Sequence, residues 1–243
     1  MIHLYFGIGL LLVALIAAGL AVREHMRWRR AVAILGELGQ DLPVAATAPN
    51  IWRLVCFLLL LVLALIAPAP PTVFYKATIG LALIVFLLAE LFLAIPGTPG
   101  VLRTGTNFAI FFLLWLGFVV TTGPAFWSLL SLVALVPLAI GALYWWSLRE
   151  RLGYLEITVG LYILNCALAA AFAATLAATT FLAIWSLLAM VGTMLLCGAE
   201  MLRGWSRFVR ERNNQGLYEM LLLMGGWLLL SISVWGATLA QPW

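Results

Sequence analysis

The sequence has little charge and almost no histidine. Only 9% of its 243 residues are Asp, Glu, Lys or Arg, whereas an ordinary soluble domain carries about 25%. It holds two histidines, His3 and His25, and no P-loop, GxGxxG, HExxH or GxSxG motif. These shortages exclude a soluble globular domain, a disordered chain and a nucleic-acid-binding domain. They also argue against a histidine-based metal site or catalytic triad.

Cysteine is scarce as well. The chain has three, Cys56, Cys166 and Cys197, and all of them fall in long apolar segments. An odd number without paired spacing argues against a disulfide framework or a zinc site. We interpret the three as small buried apolar residues, and we expect neither a metal nor a cofactor.

Apolar residues dominate what is present, with 65% of the chain hydrophobic and a mean hydropathy of +1.14. A membrane-spanning helix needs about 20 mostly apolar residues. The pattern therefore predicts an all-α polytopic membrane protein, a single membrane domain over 1–243 with eight transmembrane helices. The break between the sixth and seventh helices depends only on a polar threonine cluster near 175–180. The predicted spans are 2–22, 51–67, 73–96, 103–122, 125–147, 154–178, 180–202 and 216–237.

The basic residues predict an orientation. All but two of the 13 lysines and arginines follow segments one, three, five and seven, while the alternate loops carry no charge. By the positive-inside rule the charged loops face the cytoplasm and both termini lie outside. Residues 23–50 are predicted to form a cytoplasmic basic loop or an interfacial helix. We expect an integral protein of the bacterial inner (plasma) membrane that contacts membrane lipid and no nucleic acid.

Ionisable residues within the spans indicate where a site lies, because each costs about 2.5–3.5 kcal/mol at the bilayer centre. Four carboxylates and one arginine are predicted in a single layer on the cytoplasmic side. Two of these carboxylates, Glu156 and Glu219, have an alternative role as acids favoured by the dipole at a helix N-terminus. The five residues of the layer are Arg53, Glu90, Glu156, Glu200 and Glu219.

Polar residues also form a stripe on the sixth segment. Thr158, Tyr162 and Asn165 follow one another at spacings of four and three, which places them on one helix face. Two interpretations stay open, a polar pocket lining and a set of hydrogen bonds between helices.

A short internal echo relates the two halves of the chain. The stretch around Glu90, Leu-Ala-Glu-Leu, is similar to Gly-Ala-Glu-Met around Glu200. A basic loop and a span with a deep tryptophan, Trp115 or Trp227, follow each of them. The echo predicts two parallel four-helix repeats about an axis along the membrane normal.

At these positions the chain resembles the YhhN-like lysoplasmalogenase family of eight-span membrane proteins. Trp-Arg-Leu at 52–54 stands where the family has a Lys-Pro pair, and Ala-Glu at 89–90 where it has Gly-Asp. Residues 111–118 stand at its His- and Tyr-containing span. The stretch 192–200 matches a Gly-Ala to Ser-Asp segment in length, and Gly-Trp at 226–227 matches a late polar position. Both family aspartates are Glu here, and both candidate histidines are Trp.

The resemblance implies hydrolysis of the vinyl-ether bond of a lysoplasmalogen or a related single-chain lysophospholipid, giving a fatty aldehyde. It implies that Glu90 and Glu200 are the two catalytic carboxyls, one as general acid and one steadying the cation. Arg53 would bind the phosphate, since a guanidinium matches phosphate geometry. The remaining candidates for the substrate site are Glu156, Tyr162, Asn165, Glu219, Trp115 and Trp227.

Two other functions compete with this one. The first is a non-catalytic membrane subunit or scaffold on the same fold, with tryptophan-rich faces that pack against partner membrane subunits. The second is a small transporter with a carboxylate proton relay. The absence of Gly- or Pro-broken helices at matching positions of the two halves argues against the transporter.

Overall fold

A computed structural model describes residues 2–37, 51–68, 73–93, 100–123, 133–209 and 215–239. Throughout these ranges the chain is helical and contains no strand. A short 3₁₀ turn, Gly153–Leu155, joins the fifth and sixth helices. The α-helices are α1 (Ile2–Glu37), α2 (Ile51–Ile66), α3 (Val73–Leu93), α4 (Gly100–Thr122), α5 (Leu135–Leu152), α6 (Glu156–Thr179), α7 (Ile184–Phe208) and α8 (Gln215–Leu239).

Six helical stretches in the described ranges are long and apolar enough to cross a membrane, as an integral membrane protein requires. One of them, Leu135–Thr179, holds both α5 and α6. These two helices fold back on each other, because Gly141 lies against Ala167 and Gly160 against Trp145. Helix α2 is shorter, about 24 Å at 1.5 Å per residue. Eight separate crossings and the sides of the termini stay predictions.

Several helices run beyond the apolar segments that predicted them. Helix α5 continues from 147 to Leu152, and α7 from 202 to Phe208. The apolar run marks only the part that hydrocarbon surrounds, whereas arginine is a good helix former and lets the helix continue into the polar layer. On α5 and α7, four arginines expected in loops therefore lie on the helices, and the expected start of segment five, 125–132, lies outside the described residues. The four are Arg149, Arg151, Arg203 and Arg207.

Helix α1 also exceeds its predicted span of 2–22. It continues without interruption to Glu37, a length of about 54 Å against a hydrocarbon core of about 30 Å. The basic segment is thus helical as far as Glu37, and residues 38–50 lie outside the described part.

The predicted break between segments six and seven is present. Helix α6 ends at Thr179, and the amide of Leu182 donates to the Ala177 carbonyl while that of Phe181 donates to the Ala178 carbonyl. This is the Schellman pattern, which usually needs glycine at the left-handed position. Here Phe181 and Leu182 adopt φ values of +52° and +57°. The sequence signal was weak because no glycine marks the turn.

Consecutive helices alternate in direction, so polar residues that are distant in sequence meet at one end. Helices α2, α4, α6 and α8 begin at this side of the bundle, and α3, α5 and α7 finish there. We call this side the charged end. At the opposite end the Tyr75 hydroxyl lies 2.7 Å from the Ser233 hydroxyl. There, too, Lys76 donates to the Ala67 carbonyl.

Small residues set the packing of the second half. Helix α6 lies between α4, α5 and α7 and buries a run of alanines, which lets neighbouring backbones approach closely. Helices α7 and α8 cross at Gly192 and Gly226, where a Cβ on Gly192 would lie 2.8 Å from the Gly226 carbonyl oxygen. The same pattern of neighbours occurs in both halves when α1–α4 are compared with α5–α8. Helix α4 packs on α6, and its counterpart α8 packs on α2, the counterpart of α6.

Candidate functional site

A cavity of about 380 Å³ lies at the charged end, among α4, α5, α6 and α7. Its apolar walls include Leu148, Val159 and Ile163. Polar residues of all four helices line it, including Tyr144 of α5, whose hydroxyl donates to the Met201 carbonyl at 2.7 Å. The polar side chains that form the candidate site are Asn107, Thr158, Tyr162, Glu200, Arg203 and Arg207.

The Glu200 carboxylate is the centre of this polar wall. Its side chain is 10% exposed and accepts hydrogen bonds from three directions. The Tyr162 hydroxyl donates from α6 at 2.8 Å, and the Asn107 amide donates from α4 at 3.3 Å to each carboxylate oxygen. Arg203, one turn further along α7, donates at 2.5 Å. A buried carboxylate with this many donors keeps a fixed orientation.

Arg203 joins this carboxylate to a second one. Its Nε donates to Glu219 at 2.7 Å, and its Nη2 donates to the same oxygen. The guanidinium, 16% exposed, thus lies between Glu200 on α7 and Glu219 in the first turn of α8. Together with the Arg203 guanidinium, the two carboxylates have a net charge of −1 when both are ionised and of zero when one holds a proton.

Arg53 and Glu90 form a separate ion pair. Arg53 Nη2 lies 2.7 Å from Glu90 Oε1, at the start of α2 and the end of α3. Neither residue lines the cavity, and no hydrogen bond or ion pair in the described ranges joins Glu90 to Glu200. The structure brings Glu200 together with Glu219, Tyr162 and Arg203, and it keeps Glu90 with Arg53.

The other predicted site residues have distinct environments. The Trp115 Nε1 donates to the Asn165 side-chain oxygen at 3.1 Å, and the Asn165 amide donates to the Phe108 carbonyl at 2.8 Å. Asn165 therefore connects α6 to α4 and serves packing, whereas Tyr162, one turn away, serves the cavity. The polar stripe on α6 fulfils both of the roles left open for it.

Trp227 lies next to the site without touching the main cavity. It is 1% exposed and packs on Phe86 at 5.4 Å between ring centroids. It also borders a void of about 10 Å³ that Asn107 and Glu200 share. Its buried Nε1 has no hydrogen-bond partner among the described residues.

Glu156 lies outside the cavity. It borders a second, mostly apolar groove of about 390 Å³ between α5 and α6, together with Gly141, Gly160 and Trp145. Its place in the first turn of α6 agrees with the alternative of an acid at a helix N-terminus.

The three cysteines lie on α2, α6 and α7. All three are buried, and the Cys197 thiol donates to the Cys166 carbonyl at 3.3 Å deep in the cavity wall. Within the described ranges no group of three or more His, Cys, Asp or Glu can hold a metal ion.

Asn107, Arg203 and Arg207 were not among the predicted site residues. Asn107 had one available signal, an amide within an otherwise apolar span. Arg203 lies three residues after Glu200, a spacing that places both on one helix face. A basic residue at the end of a span, however, is also what the positive-inside rule predicts.

The fold and the site define an all-helical membrane protein with a buried ionic cluster in a cavity at one end. Comparison with protein-family models, curated proteins and solved structures finds no match for the chain.

Proposed function

We propose that the chain is a membrane hydrolase, similar to the YhhN-like lysoplasmalogenases, that cleaves the vinyl-ether bond of a single-chain phospholipid. The observation that carries the proposal is the Glu200 carboxylate, oriented by Tyr162 and Asn107 in the wall of a cavity of about 380 Å³. A cavity at the end of a membrane bundle admits a polar head from water and an apolar chain from lipid.

The proposal includes the topology. The charged end faces the cytoplasm, all eight helices cross the bilayer, and both termini lie outside. The two halves are parallel four-helix repeats, which the repeated neighbours α4 with α6 and α8 with α2 support.

The chemistry uses the cluster of Glu200, Arg203 and Glu219 in its neutral form. Glu200 as a carboxylic acid gives its proton to the vinyl carbon, and the electron pair of the double bond forms the new C–H bond. The adjacent ether oxygen stabilises the cation, which faces the new carboxylate. Water then attacks the cation and loses a proton to Glu200. The hemiacetal that results collapses to a fatty aldehyde and the glycerophospho compound.

This mechanism changes the partner of Glu200. The resemblance implied Glu90 as the second carboxyl, whereas this proposal gives Glu90, which pairs with Arg53 and does not line the cavity, a structural role between α2 and α3. Glu219 is the second carboxyl of the cluster: it does not line the cavity, and it carries the negative charge that the Arg203 guanidinium balances while Glu200 holds its proton.

The decisive experiment measures aldehyde release from a lysoplasmalogen by the purified protein. Glu200→Gln keeps size and hydrogen bonding but has no proton to give, so we expect a loss of about 10²–10⁴-fold. Glu150→Gln is the matched control, because Glu150 is exposed on α5 and does not line the cavity. Glu90→Gln separates the two assignments. A folded variant with the wild-type rate supports Glu219 as the second carboxyl, whereas a loss equal to that of Glu200→Gln supports Glu90.

One observation favours the second candidate, a non-catalytic membrane subunit. Glu90, Glu200 and Glu219 each accept a hydrogen bond from an arginine, as they do in a purely structural network. Copurification with partner membrane subunits in fixed stoichiometry, together with no aldehyde release by the folded protein, would establish that function.

A further inference from the structure

Helix α7 presents a row of charged side chains on one face. Glu200, Arg203 and Arg207 follow at spacings of three and four, so they lie above one another along the helix, and all three line the same cavity. Arg203 already holds two carboxylates. Arg207 is exposed and forms no ion pair or hydrogen bond with any residue in the described part of the chain. Its one recorded contact is with the Phe208 ring, 6.0 Å from the ring centroid.

Two other arginines at this end of the bundle have contacts elsewhere. Arg53 pairs with Glu90 away from the cavity. The Arg149 guanidinium lies 3.5 Å from the centroid of the Trp146 ring on α5, and Arg149 does not line the cavity. Arg207 is therefore the cavity-lining arginine, among those described, that an anionic ligand meets without breaking an ion pair.

We propose that Arg207 binds the phosphate of the single-chain phospholipid while Glu200 faces its ether bond. This inference rests on the proposed function and assigns the headgroup subsite. Seven residues of helix separate the two side chains by about 10 Å along the axis, a distance that the glycerol unit and the arginine side chain can span together. A guanidinium matches phosphate oxygens in a bidentate way. Thr158 also lines the cavity, one turn from Tyr162 in the direction of the charged end. Arg207 lies in the same direction from Glu200, so the Thr158 hydroxyl offers a second donor.

The competing explanation is that Arg207 only sets topology, as a basic residue at the cytoplasmic end of a span. The two explanations differ in one measurable property. A phosphate subsite distinguishes a phosphorylated lipid from the same lipid without phosphate, and a topology residue does not.

The test uses two probes that the proposed reaction cannot cleave, a 1-O-alkyl lysophospholipid and the matching 1-O-alkylglycerol. Binding of each to the purified full-length protein is measured in detergent. A charge-assisted hydrogen bond contributes about 1.5–3 kcal/mol, which corresponds to roughly 10–100-fold in Kd. We expect the wild type to prefer the phosphate probe by this factor, Arg207→Gln to lose the preference, and Arg207→Lys to keep part of it. Affinity for the alkylglycerol should not change.

The control is Arg149→Gln, which removes a basic residue from the same end and should leave the preference intact. Free glycerol phosphate as a third probe separates a lipid site from a general anion site, because the lipid site binds it far more weakly than the alkylated probe. Equal affinity of the wild type for both lipid probes, or an unchanged preference in Arg207→Gln, would overturn the assignment. The binding result is independent of turnover. A phosphate preference without aldehyde release would support the subsite and contradict the hydrolase. Aldehyde release without a phosphate preference would support the hydrolase and contradict the subsite.

Discussion

Tyr162 on α6 donates its hydroxyl to the Glu200 carboxylate on α7 at 2.8 Å, in the wall of the cavity. Asn107 and Arg203 approach the same carboxylate from α4 and from the next turn of α7. Three donors on three helices prevent the carboxylate from rotating, so its reactive oxygen keeps one direction. Tyr162 is a positioning residue, because it acts through Glu200.

Tyr162→Phe removes one donor and leaves the rest of the site in place. Because a hydrogen bond to a charged group is worth about 1.5–3 kcal/mol, we expect kcat for aldehyde release to fall roughly 10–100-fold with little change in KM. The carboxyl band of Glu200, measured by infrared spectroscopy against Glu200→Gln, should shift in the same variant. Tyr154→Phe is the control, since Tyr154 is exposed in the turn before α6. An unchanged rate together with an unchanged band would show that the hydroxyl does not orient Glu200.

Arg203→Gln tests the ion cluster by stability. In the neutral cluster the substitution leaves one ionised carboxylate without its cation, at a site where the Glu200 and Glu219 side chains are only 10% and 19% exposed. Removing one partner of a buried ion pair costs about 3 kcal/mol or more in the free energy of unfolding. The double variant Arg203→Gln, Glu219→Gln removes that uncompensated charge as well, so it should recover much of the loss. The measurement is a double-mutant cycle on denaturant unfolding in detergent, and simple additivity of the two single effects would contradict the cluster.

The sequence predicted the helices well and the contacts poorly, for one physical reason. Hydropathy reports depth along the membrane normal, and it correctly separated α6 from α7 where only three threonines marked the turn. It carries no information on which helices are neighbours. Asn107 and Glu200 are 93 residues apart, and nothing local in either segment predicts their contact.

The predicted pairing of Glu90 with Glu200 depends on the same kind of long-range contact, and no hydrogen bond or ion pair in the described part of the chain joins the two carboxylates. An internal repeat places equivalent residues on opposite sides of the repeat axis, and they meet only if both lie close to it. In the structure each carboxylate has its own arginine, Arg53 for Glu90 and Arg203 for Glu200. A basic residue after an apolar run, such as Arg203, already has a sufficient explanation in the positive-inside rule, so its position alone does not predict a role in the site.

The crossing of α7 and α8 provides a prediction about packing. At Gly192 a Cβ would lie 2.8 Å from the Gly226 carbonyl oxygen, a backbone atom that cannot move alone. We expect Gly192→Ala to lower the free energy of unfolding by about 2 kcal/mol, as overpacking typically does. Gly198→Ala is the matched control on the same helix, because its Cβ would meet only the Leu222 side chain at 3.7 Å. In the control the better helix propensity of alanine, up to about 1 kcal/mol, should leave stability equal or higher. Similar effects at both positions would mean that the helices do not approach at Gly192.

The two ends of α6 test the topology on a single helix. Tyr154 and Phe181 lie in the turns before and after it and are 94% and 95% exposed, so both accept a labelled cysteine without disturbing the core. In a background without the three native cysteines, Phe181→Cys should react with a membrane-impermeant maleimide on intact cells. Tyr154→Cys should react only after permeabilisation, because Arg149 and Arg151 precede it and the positive-inside rule keeps that end in the cytoplasm. Labelling of both positions from outside would mean that α6 does not cross the membrane, and the reverse pattern would place the cavity with Glu200 on the outer face.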